Sequence, residues 1–201
     1  MLKKNKKGAI ELSITTVIII VLGMTLLVLG IVLIKNIFGG ATESVDTLDE
    51  KVKSEIQSLF TDEGLEVAIK LGSDKIAKVK PGSGSFGIAI GSRTPDGSEA
   101  TRNRLVYKIT LGDTTGNDCV ALLTRQKVQS FFKTPIEREN QFDTISGSNV
   151  YSIIRMDIPK GTKACMQKVY LDVYDNNAAN PSERYVGGDS FSVEILRSGL
   201  F

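Results

Sequence analysis

The sequence predicts an α+β chain, a long N-terminal hydrophobic helix followed by an antiparallel β-sandwich. Three observations carry this. Residues 12–34 contain no charged side chain and are rich in Ile, Val and Leu. From 45 to 59 the apolar residues recur at spacings of three and four, the period of an amphipathic helix. From residue 66 onward the spacing falls to two, the period of strands with one buried face. A chain of 201 residues with net charge +2 has room for one compact domain plus an extra element. The expected organisation is a basic leader at 1–8, a hydrophobic transmembrane or filament-core helix at 9–38, an amphipathic helix at 39–62 and an extracellular β-sandwich domain at 63–201.

The hydrophobic run is bounded by Glu11 and Lys35. At about 1.5 Å per residue such a helix reaches roughly 30 to 35 Å, the thickness of a hydrocarbon core. A buried core helix normally keeps a polar face, and this run has none. Lys3, Lys4, Lys6 and Lys7 precede it, so the positive-inside rule places them in the cytoplasm and everything after Lys35 outside. The run is too long for the h-region of an ordinary secretory signal, about 7 to 15 residues, and Gly39-Gly40-Ala41 is a weak cleavage site. Thr16, Gly23 and Gly30 recur every seven residues, close to one stripe of the helix, where small side chains let backbones approach. Ordinary tolerance of glycine in a membrane helix gives the same pattern.

Gly39 and Gly40 loosen or bend the chain, because glycine is a poor helix former. Beyond them Val45, Leu48, Val52, Ile56 and Leu59 form an apolar stripe, with Asp46, Asp49, Glu50, Lys53 and Glu55 on other faces. The stripe packs either on the following domain or against a neighbouring subunit. The strand pattern then runs through Val67, Ile69 and Leu71; Leu105, Tyr107, Ile109 and Leu111; Val169, Leu171 and Val173; and Phe191, Val193 and Ile195. Short runs at 75–79, 86–90 and 150–156 bring the total to about seven strands. Pro81-Gly82, Pro95-Asp96-Gly97, Gly147, Pro159-Lys160-Gly161 and the 176–181 stretch supply the turns. Residues 120–132 fit either a helix or an irregular crossing.

Composition narrows the function. The sequence has no histidine, so the commonest general base and transition-metal ligand are both missing. No enzyme activity, cofactor, nucleic acid or small-molecule substrate is expected. The two cysteines, Cys119 and Cys165, lack the spacing and the histidine of a zinc site or a nucleophile pair. In an oxidising compartment they would close a disulfide worth about 3 to 4 kcal/mol in the chain-entropy model. Two buried free thiols in a reducing niche are the other use. Asp172, Asp175, Asp189 and Glu194 fit polar strand faces or turns, and no spacing singles out a catalytic pair. Asp113, Asn117 and Asp118 carry oxygens that suit a cation, without the register of a calcium loop. A solvated turn is the plainer reading, and no metal site is expected.

Lys6-Lys7-Gly8-Ala9-Ile10-Glu11-Leu12, standing directly before the hydrophobic run, resembles the class III signal of type IV pilin-like proteins, including archaeal pilins and archaellins. The resemblance covers roughly residues 1–38. It implies a prepilin peptidase cutting between Gly8 and Ala9 on the cytoplasmic side, with the helix kept in the mature subunit. It also implies that Glu11 pairs with the terminal amine of a neighbouring subunit. The physical logic is independent of the name. Removing four lysines frees the helix to leave the bilayer, since each charge costs about 2.5 to 3.5 kcal/mol at the centre of the membrane on the insertion scale. A second stretch, from Ile153 through Pro159-Lys160-Gly161-Thr162-Lys163-Ala164-Cys165 to Val173 and then Phe191, resembles the last strands of an immunoglobulin-like surface domain.

These features lead to the expectation of a structural subunit of a type IV pilus-like filament, a homo-oligomer at the cell surface after processing, anchored in the cell membrane before it. Its β domain would be exposed for adhesion or surface contact. The alternative is an uncleaved single-pass surface protein displaying an immunoglobulin-like binding domain.

Overall fold

The computed structural model describes residues 14–39, 50–62, 64–112 and 118–197. It divides into two units, Met1–Gly40 and Ala41–Phe201. The first contains helix α1 (Ile14–Gly39), whose side chains are described over residues 15–31. Apolar residues surround its axis, and those named from Val17 to Ile31 are 47 to 68 % exposed. Thr25 hides its hydroxyl by donating from Oγ1 to the Leu22 carbonyl at 2.8 Å. Among the described residues no helix is long and apolar enough to cross a membrane. The run expected from sequence, 12–34, extends past the described side chains of α1 at both ends.

The second unit is built from α2 (Glu50–Asp62) and nine strands in two sheets. One sheet has the order β1 (Val67–Lys70), β3 (Ser85–Arg93), β7 (Asn149–Asp157), β6 (Thr144–Ser146). The other has the order β2 (Ile76–Val79), β9 (Tyr185–Ile195), β8 (Cys165–Asp175), β4 (Leu105–Leu111), β5 (Glu139–Gln141). The chain is thus α+β, with largely antiparallel sheets and a few helices. The alternation read from sequence has a direct consequence. Ile88, Ile90 and Ile154 of the first sheet join Ile109, Val169, Leu171, Phe191 and Val193 of the second in one buried apolar cluster. Glycines serve the turns where their freedom is needed. Gly147, at φ 59°, lies between the paired residues Ser146 and Asn149, a left-handed conformation that side chains disfavour.

The opposite face of the first sheet carries α2. Ile56 and Phe60 pack with Ala68, Ala89 and Tyr151, and Val52 and Leu59 flank them. Of the two destinations open to the amphipathic stripe, the structure shows packing on the sheet. Small residues make the contact possible. A Cβ added at Gly91 would stand 2.6 Å from Ile56 Cγ2 and 3.2 Å from both Phe60 and Tyr151. Burying side chains of this size contributes about 1.5 to 3 kcal/mol each. Val45 and Leu48 lie outside the described residues.

Two expectations are corrected and one open stretch is resolved. Not every pairing is antiparallel, because β2 runs parallel to β9, with Ile76 opposite Ser192 and Val79 opposite Ile195. β1 and β2 lie in different sheets, so the chain passes from one sheet to the other between them. It turns at Lys75, whose φ is 50° and whose carbonyl accepts the Ser192 N–H at 2.9 Å. Two strands went unrecognised: β5 and β6 are three-residue, mostly polar strands at sheet edges, where no buried face imposes alternation. The ambiguous 120–132 stretch holds two short helices, α3 (Cys119–Leu123) and α4 (Arg125–Gln129). Thr124, with φ 78°, breaks them apart.

Candidate functional site

α1 is the first candidate, as an assembly surface. Thr16 and Gly23 are exposed and Gly30 half-buried. Their seven-residue spacing puts them near one stripe of the helix. A Cβ built at Gly23 or Gly30 meets nothing within 4 Å, so the bare backbone there is open to a neighbour. Gly8, Ala9 and Glu11 lie outside the described residues.

In the β-rich unit Cys119 and Cys165 form a disulfide, with S–S 2.09 Å and Cα–Cα 5.0 Å. Each cysteine opens its element, and both are buried. The bond therefore fixes α3 to the start of β8. Gln167 extends the tie. Its Oε1 accepts the Val120 N–H at 3.2 Å, and its Nε2 donates to the Gly112 carbonyl at 2.8 Å. Beside it, Asp118 is buried and its Oδ2 has no hydrogen-bond partner among the described residues. Asp113 and Asn117 lie outside them. Among the described residues no group of three or more His, Cys, Asp or Glu is placed to hold a metal ion.

Two of the remaining acids, Asp175 and Asp189, are drawn into ion pairs. Arg104 donates from Nε and Nη2 to Asp175 at 3.0 to 3.3 Å, with both side chains buried. Its Nη2 also lies 2.9 Å from Asp96 Oδ2. The Arg104 hydrogen bond, helped by the Ser98 N–H, holds the Asp96 carboxyl at about 2, below the usual carboxylate range. Arg104 itself is pushed up, first by its bond to Asp175. The cluster clamps the turn after β3 to the end of β8. Glu194 sits opposite Met166 in the β8–β9 ladder. Asp189 is gripped by Lys75 Nζ at 2.7 and 2.8 Å. Asp172 and Asp189 meet at one outward cleft together with Tyr170 and Tyr185. Sequence reasoning passed over these tyrosines. The available signal was Tyr170 and Tyr174 on outward positions of a strand whose neighbouring inward residues, Val169, Leu171 and Val173, are apolar.

Neither a protein-family model nor a curated protein matches the chain. Among solved structures it is similar to a GspB Siglec domain, at 16 % identity and TM-score 0.37, over 66 % of this chain and 58 % of that one. It is also similar to a family 123 glycoside hydrolase from Clostridium perfringens, at 14 % identity and TM-score 0.31, over 78 % of this chain and 27 % of that one. The chain spans less than two thirds of the length of either, and neither likeness carries an argument about function.

Proposed function

We propose that this chain is a structural subunit of a type IV pilus-like surface filament, held together through its N-terminal helix and displaying a β domain outward. The observation that carries the reading is α1. Its described apolar side chains are about half exposed or more around the whole helix, and apolar surface of that extent calls for lipid or other copies of the helix as cover. In this reading residues 12–34 span the membrane before assembly. A prepilin peptidase cuts between Gly8 and Ala9, and Glu11 pairs with the terminal amine of a neighbour. Gly23 and Gly30 admit close helix contact. The two sheets that share one apolar cluster are read as an immunoglobulin-like sandwich, and the disulfide suits an oxidising exterior. The subunit acts by assembly and surface contact, without catalysis.

The test is the N-terminal residue of the protein from native membranes and from sheared surface material, determined by mass spectrometry. A chain starting at Ala9 in the sheared fraction is expected. A chain that still begins at Met1 or Leu2 in both fractions would overturn the filament reading and leave an uncleaved, membrane-anchored display protein.

A further inference from the structure

On the outward face of β8 and β9 lies a cleft of about 350 Å³, lined by Tyr170, Asp172, Tyr185, Gly188, Asp189 and Ser190. That volume falls within the range of small-molecule sites, about 300 to 1,000 Å³. Tyr107 and Tyr151 of the domain are 3 % and 1 % exposed, whereas Tyr170 is 41 % and Tyr185 53 % exposed. Two partly exposed rings on one sheet offer stacking area at low entropic cost.

The rings are held in place by their neighbours. Tyr174 meets Tyr185 edge-on, with centroids 5.8 Å apart and planes at 66°. The Arg184 guanidinium lies 5.5 Å from the Tyr174 ring centre. Arg184 is anchored in turn by two bonds to Glu139 at 2.8 and 2.9 Å. Lys168 Nζ stands 5.0 Å from the Tyr170 ring centre. The floor is Gly188. A Cβ there would stand 2.6 Å from the Tyr185 hydroxyl, 2.8 Å from Asp172 Oδ1 and 3.0 Å from the Leu171 carbonyl. The missing side chain thus lets the phenol and the carboxylate share one spot above the strand. Burial, followed by the Asp172 charge, raises the Tyr185 hydroxyl above its ordinary value, so it stays protonated at neutral pH.

The chemistry of this set is selective. An aromatic face accepts the C–H face of a ring, and a carboxylate accepts hydroxyl donors in short, charge-assisted bonds. Lys75 occupies Asp189, which leaves Asp172 as the acceptor facing the two rings. Its charge disfavours an anionic group placed directly against it, although the Lys168 ammonium beside Tyr170 offsets that charge at longer range. The cleft is open to solvent, so it suits part of a larger molecule. We propose that Tyr170, Tyr185 and Asp172 form a binding site for a pyranose ring of a neutral surface glycan.

This proposal deepens the display reading and rests on the domain facing outward, but it is tested on dispersed subunits, so it can fail without touching assembly. The full chain is solubilised in lauryldimethylamine oxide, a detergent without a sugar headgroup, and titrated with lactose, cellobiose and di-N-acetylchitobiose. Binding is read by saturation-transfer NMR and tyrosine emission, with glucuronic acid and tetralysine for comparison. Saturable binding of at least one neutral disaccharide is expected, weakened about tenfold or more by Y185A and by D172N. D172N keeps the shape of the site, so it tests the carboxylate even where the alanine variant fails to fold. Glucuronic acid should bind more weakly than the neutral sugars, and D172N should narrow that gap. Three results would overturn the site: no saturable neutral sugar, affinity unchanged in D172N, or tetralysine saturating the cleft while the sugars stay inert.

Discussion

Replacing both cysteines by alanine, in C119A/C165A, removes a cross-link between residues 46 positions apart. In the chain-entropy model a loop of that length restricts the unfolded chain by about 13 to 14 cal/mol/K, or about 4 kcal/mol at 25 °C. Alanine is the better probe, because Cys119 and Cys165 are 0 % and 7 % exposed and a serine hydroxyl left unpaired there would add about 1 to 3 kcal/mol of its own. The small void left by each sulfur adds to the loss. The assay is urea unfolding of the full chain in detergent, followed by near-UV circular dichroism. All five tyrosines, Tyr107, Tyr151, Tyr170, Tyr174 and Tyr185, lie in the β-rich unit, so the tyrosine signal follows that unit even if α1 stays helical in the micelle. The midpoint should fall, and m should rise because the uncrosslinked unfolded chain exposes more surface. For a domain of this size the loss corresponds to a drop in Tm of about 8 to 16 °C. A loss below about 1 kcal/mol with unchanged m would refute the view that this loop limits the unfolded state.

Two further predictions concern packing and charge. I56A should cost about 2 to 5 kcal/mol by emptying the space under α2, and G91A about 1 to 3 kcal/mol by overfilling it. Because the new methyl would meet Ile56 Cγ2, the double variant should be more stable than the sum of the two losses implies, by at least about 0.5 kcal/mol. Strict additivity in urea unfolding would contradict the contact. Asp96 is the pH probe. Its carboxyl is lowered to about 2 by Arg104, so its contribution is full above the ordinary carboxylate value of about 3.9 and is lost as pH falls through about 2. The Tm of the native protein should therefore fall more steeply between about pH 4 and pH 2 than that of D96N. Parallel curves would show that the Arg104 bond is not formed in solution.

Several features were legible in the sequence because they depend on local pattern. The uncharged Ile-, Val- and Leu-rich run, including 15–31, is too long for a strand and has no alternation of period two, and α1 forms there. The alternation at 105–111, 169–173 and 191–195 places one residue in two on a buried face, and the strands β4, β8 and β9 appear there. The pairing of Cys119 with Cys165 was open between a disulfide and two thiols, and proximity in the fold joins them. What the sequence left undecided depends on residues far apart in the chain. β5 and β6 have no apolar alternation and exist because a neighbouring strand offers a hydrogen-bonding edge. The parallel β2–β9 pair brings residue 76 beside 192. Gly91 reads as a weak point in a strand until Ile56 is seen to occupy the space it leaves. The cleft of Tyr170, Asp172 and Tyr185 is a product of strand register, which sets Asp172 opposite Gly188. Composition and period fix which residues must be buried, whereas the pairing of distant edges decides which exposed side chains stand together.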